Sequence, residues 1–232
     1  MDKFLIIILI FSFITSLFSL YILSHEDFVL TRKNISIEKI FNLAFLVFLS
    51  SLFFARLFYV IFNFSPKFLN PFNFILFPYF PGFSFAGGIL GGIAVVLMYA
   101  SNNKMPIFRI FDFFLLSFLS AIPIGFLISY IPFLQTRNFL TKELFFLIIY
   151  ILVLGIFAKI FLPRMQKGEL KEGSLGFLVL ISFSFISIIY SLIGPRGFTF
   201  SINIDFILFI FIFLASVFFF LKQEKLVQKI KK

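Results

Sequence analysis

The sequence contains no cysteine and no tryptophan, a single histidine, and only 13% charged residues. Without cysteine there is no disulfide, no thiolate nucleophile and no cysteine-ligated metal. A charged share this far below the roughly 25% of soluble domains excludes a water-soluble globule. What takes its place is apolar: 61% of the 232 residues are hydrophobic and 44 are phenylalanine, with mean hydropathy +1.12. A lipid-facing surface demands only apolarity, and an abundance of Phe, Ile, Lys and Asn fits an AT-rich coding sequence, so the phenylalanines call for no special aromatic function.

Apolar runs of about 20 residues, enough to cross a hydrocarbon core of about 30 Å as a helix, recur along nearly the whole chain. They predict an all-α polytopic membrane protein with seven spans, near residues 4–23, 40–62, 83–100, 110–132, 142–161, 174–192 and 204–221. The breaks carry turn chemistry, as in Ser101-Asn102-Asn103-Lys104, the segment from Pro163 to Gly173, and Gly194-Pro195-Arg196-Gly197. No stretch is left for a separate soluble domain, so residues 1–232 read as one transmembrane domain. The first run is too long for a signal-peptide core and is expected to remain as an anchor.

Lys and Arg set the orientation. With the C-terminus inside, the inner segments hold thirteen: Arg32, Lys33, Lys39, Lys104, Arg109, Arg164, Lys167, Lys171, Lys222, Lys225, Lys229, Lys231 and Lys232. The outer segments hold five: Lys3, Lys67, Arg137, Lys142 and Arg196. This bias predicts an N-out, C-in topology. The net charge of +10 is then a topology signal, with the basic tail a contact for anionic lipid, and no nucleic-acid partner is expected.

Ionisable groups within spans are costly and become functional candidates. Arg56, deep in the second span, is either a clamp for a lipid phosphate or a structural arginine bound to carbonyls of neighbouring helices. Asp112, Glu143 and Asp205 stand at helix N-terminal ends, where capping suits a carboxylate, while Lys159 can reach the inner interface. His25 falls in the first inner loop. Gly87, Gly88, Gly91 and Gly92 mark the entry to the third span, fitting close helix packing or the approach of a lipid headgroup to bare backbone. Phosphate-loop, zinc-protease and nucleophile-elbow motifs are absent, so no cofactor, metal ligand or catalytic residue is assigned.

The stretch Phe54-Ala55-Arg56-Leu57-Phe58-Tyr59-Val60-Ile61-Phe62-Asn63, followed by a proline-rich outer loop and Gly82-Phe83-Ser84-Phe85-Ala86-Gly87-Gly88-Ile89-Leu90-Gly91, resembles bacterial prolipoprotein diacylglyceryl transferase. Ile35 to Lys39, Asp112-Phe113 and Lys171-Glu172-Gly173 extend the likeness. The resemblance implies seven helices in a plasma membrane, N-out and C-in. It also implies transfer of diacylglyceryl from phosphatidylglycerol to a lipoprotein signal-sequence cysteine, with phosphatidylglycerol, the signal peptide and membrane lipid as partners.

The chain departs from the family at its polar positions. Ala86 stands for the motif histidine, Phe126 for an arginine after Gly125, Ser129 for an asparagine, and Ile186 and Tyr190 for an arginine and a glutamate. By position Arg56, Ser84, Gly87 and Gly88 carry over as substrate-binding residues, and Arg137, Asn138 and Arg196 are candidates to approach a headgroup in place of the lost groups. Two readings remain: a transferase, or a catalytically inactive paralogue that binds lipid or a signal peptide. A transporter is disfavoured, since no repeated pair of broken helices is present.

Overall fold

A computed structural model describes residues 2–25, 27–69, 74, 82–135, 141–194, 197–198 and 204–224. Among the described residues eight helices follow in order: α1 Asp2–His25, α2 Phe28–Arg32, α3 Ile37–Phe62, α4 Phe85–Asn102, α5 Ile107–Gln135, α6 Lys142–Gln166, α7 Ser174–Leu192 and α8 Ile204–Gln223. All but the short α2 are long and apolar enough to cross a membrane, which gives the seven expected spans. A 3-10 turn covers Pro66–Leu69, and the two-residue strands β1 Ile193–Gly194 and β2 Gly197–Phe198 pair between α7 and α8.

Local chemistry starts the helices. Asp27, Ser36, Ser84 and Thr141 each accept a backbone N–H three residues on, capping α2, α3, α4 and α6. Five spans outrun their expected ends, α5 and α6 by the most. α5 continues through Pro123 and Pro132 to Gln135. α6 passes through a π turn at Phe157–Phe161 and on to Gln166, with Pro163 in the first turn of the last segment, where a missing N–H removes little.

Successive spans run antiparallel, so one end of the bundle, here the upper end, holds the starts of α4, α6 and α8. The lower end holds the starts of α3, α5 and α7. α3 packs on α4, α1 on α5, and α7 on α8, with α5 also touching α4, α6 and α7. Leu43, Ile110, Leu119, Phe146, Leu175, Val179 and Phe183 are fully buried. Phe18, Leu49, Phe211 and Leu214 stand exposed, as a lipid-facing surface requires.

The lower end is tied by buried charge. Arg109 donates from Nε to Asp27 Oδ2 at 3.0 Å and makes a second bond from its NH2 group, while Asp27 Oδ1 caps α2. Asp112 had been expected to cap its own helix. Because α5 begins at Ile107, Asp112 lies in its second turn, wholly buried, and caps α7 instead, accepting from the Gly173 and Gly176 N–H groups at 2.7 and 2.6 Å. Gly173 adopts φ +91°, and a Cβ there would meet Phe108 at 2.8 Å, so glycine is required on both counts. Glu224 beyond α8 accepts from Ser174 Oγ and the Lys171 N–H, joining α8 to the same corner. His25 ends α1, exposed, with its ring 5.3 Å from that of Tyr21.

Removing one member of a buried ion pair strands the other. Arg109→Met is expected to lower stability by about 3 kcal/mol or more, and the double change with Asp27→Asn by less than that single change. Thermal midpoints of the purified variants check this.

Candidate functional site

The upper end is built on the seam between α3 and α4. Gly87 faces Phe58, Gly88 faces Ala55 and the Ser51 carbonyl, Gly91 faces Phe54, and Gly92 faces Ser51. A Cβ at Gly87 would stand 2.6 Å from Phe58 Cβ and 3.1 Å from the Phe54 carbonyl oxygen. The glycine stripe therefore brings two helix backbones together, the packing alternative for this motif.

Arg56 lies on the same seam and is 3% exposed. Its Nε donates to the Phe74 carbonyl at 3.1 Å and its NH1 group to the Gly82 carbonyl at 2.8 Å. The Phe68 ring lies 5.2 Å from the guanidinium carbon. Gly82, at φ +144°, carries the acceptor against the Tyr59 ring, where a Cβ would lie 2.1 Å from ring carbon. Arg56 thus ties the loop between α3 and α4 to the entry of α4.

Ser84 joins three helices. Its N–H donates to the Ala55 carbonyl of α3 at 2.9 Å, its Oγ accepts from the Gly87 N–H at 3.1 Å, and its hydroxyl donates to Asp205 Oδ1 of α8. Asp205 stands in the first turn of α8, as expected for a helix-end carboxylate, yet it also reaches across 121 residues of sequence to Ser84. Arg137, Asn138 and Arg196 lie outside the described residues.

Between the helices is a cavity of about 1690 Å³. It exceeds the roughly 300–1,000 Å³ of a pocket for a drug-sized ligand. α1, α3, α4 and α5 line its length with apolar groups such as Phe13, Val47, Ile93, Phe114 and Phe118, and Gly88 and Gly92 open onto it. Polar side chains gather at the upper end: Thr141, Lys142, Glu143, Ser191 and Asp205. Lys142 is the one Lys or Arg among the described lining residues. Its Nζ donates to the Ile193 carbonyl at 2.6 Å and sits 3.5 Å from the centre of the Tyr190 ring, a cation–π contact.

Aromatic rings stand at two of the positions where the resemblance implies charge, 126 and 190. Phe126 stacks on Tyr150 at 5.4 Å and meets Tyr190 edge-on at 5.7 Å, and Phe146 meets Tyr190 at 4.9 Å. Phe126 and Tyr190, 64 residues apart in sequence, are therefore neighbours on the cavity wall. Ser129 lines the cavity as well, whereas Ile186 is buried one turn below Tyr190 and is not part of the lining. Ala86 is buried at the seam and offers no polar atom. Sequence reasoning counted Lys142 only as an outer charge and missed its place on Tyr190; no local motif links α6 to the end of α7.

A sequence model of the family described as prolipoprotein diacylglyceryl transferase matches residues 5–145, more than half of the chain. The chain belongs to that family. A relative from Fusobacterium nucleatum subsp. nucleatum, named phosphatidylglycerol–prolipoprotein diacylglyceryl transferase, is 37% identical over 82 residues, which cover 35% of this chain and 28% of that protein. In this member of the prolipoprotein diacylglyceryl transferase family, Arg56, Ser84 and the glycine seam lie inside the matched stretch, as does Lys142. Tyr190 and Asp205 lie beyond it. With seven membrane-spanning helices, it is a multi-pass plasma-membrane protein.

The seam leaves no room at Gly87. Gly87→Val is expected to push α4 off α3 and to cost about 1–3 kcal/mol, read as a lower thermal midpoint and weaker resistance to protease, whereas Gly155→Ala, with nothing within 4 Å of its added Cβ, leaves both unchanged.

Proposed function

We propose that this protein binds a phospholipid of the phosphatidylglycerol type in the cavity, acyl chains along the apolar walls and headgroup at the upper end, and that it holds the lipid without transferring its diacylglyceryl group. The observation that carries this reading is the ring cluster of Phe126, Phe146, Tyr150 and Tyr190 on the wall of a large cavity. Transfer to a thiol needs groups that clamp the phosphate as it leaves and favour the thiolate. Apolar rings do neither, and Ala86 supplies no proton acceptor. An acyl chain needs only apolar walls. In the expected N-out, C-in orientation the polar end of the cavity opens outward, where a lipoprotein signal peptide would also arrive. Phosphatidylglycerol and the signal peptide are accordingly the proposed partners.

A second reading, in which transfer survives, is favoured by Asp205. Its carboxylate lines the cavity beside Ser84, two residues before Ala86, so it could accept the proton of an incoming thiol in place of the missing imidazole.

The purified protein, incubated with phosphatidylglycerol and a lipobox peptide, separates the two. The expected outcome is phosphatidylglycerol retained by the protein with no diacylglyceryl mass added to the peptide. A mass gain abolished by Asp205→Asn would overturn the binding-only reading in favour of transfer.

A further inference from the structure

The charged side chains among the described lining residues lie at one end of the cavity only, a single cation, Lys142, with two carboxylates, Glu143 and Asp205. This charge pattern selects among lipids. We propose that Lys142 is the residue that recognises the phosphate of the bound lipid. The assignment rests on the reading of the cavity as a phospholipid site.

An ammonium carries three N–H donors. Lys142 uses one on the Ile193 carbonyl and lays its charge on the Tyr190 ring. Both contacts leave it able to donate to a phosphate oxygen, and both fix where that oxygen would sit. The ring and the carbonyl hold the ammonium at the cavity edge, with the apolar walls beginning beside it at Phe146. A lipid whose chains lie among those walls therefore brings its phosphate to Lys142, where a charge-assisted hydrogen bond in a poorly solvated site is strong.

The test compares dioleoyl phosphatidylglycerol with dioleoylglycerol, which has the same chains and no phosphate, on the full-length protein in detergent. Lys142→Gln removes the charge and keeps a donor for the Ile193 carbonyl; Lys142→Arg keeps the charge. The wild type is expected to prefer the phospholipid by about tenfold or more, the Gln variant to lose that preference while binding dioleoylglycerol as before, and the Arg variant to retain it. An unchanged preference in the Gln variant would overturn the assignment of Lys142 and leave the cavity reading standing. Loss of both lipids in the Gln variant would also overturn it, assigning Lys142 to the shape of the cavity. Binding of neither lipid by the wild type would overturn the cavity reading and the assignment with it.

Discussion

Inside a bilayer a buried charge or backbone polar group has no water to turn to, so its partner must come from the protein itself. That constraint orders the described charges of this molecule. At the lower end Arg109 is held by Asp27, and Asp112 is spent on the first N–H groups of α7. At the upper end Arg56 is bound to carbonyls of the loop that enters α4, and Asp205 to the cap of the same helix. Each of these charges fastens one element to another far away in sequence.

The cavity shows the other side of the same constraint. Among the described lining residues the one Lys or Arg is Lys142, which lies against a tyrosine ring and a carbonyl. Phe126, Phe146, Tyr150 and Tyr190 pack as rings pack in any core, edge to face and offset, with no buried charge to satisfy. In the proposed reading such rings wall an acyl chain without the desolvation cost that a buried polar pair would carry.

The spans were legible because a bilayer asks for long apolar runs, and the chain has seven of them. Their ends were less so. The segment from Pro163 read as a break in a local scan, yet helix continues through Pro163 to Gln166, and the span expected to end at Pro132 runs on to Gln135. In the site, the Arg56 and glycine motifs were visible because they are contiguous in sequence. What Arg56 bonds to was not, since Phe74 and Gly82 lie 18 and 26 residues away, and choosing between phosphate and carbonyl requires the fold. Asp112 looked like a cap for its own helix and serves another, because the first turn of α5 starts earlier than its apolar run suggests. Lys142 and Asp205 acquire meaning only when α6, α7 and α8 meet around the cavity, a juxtaposition no spacing rule encodes.

The central claim is that the cavity is a lipid site. A cryo-electron microscopy map of the protein in nanodiscs containing phosphatidylglycerol brominated on its acyl chains tests it most directly. The account predicts bromine density inside the bundle, between α1, α3, α4 and α5, with the headgroup at the upper end. Bromine confined to the outer belt, with Phe118, Phe126 and their neighbours collapsed into the space, would contradict it.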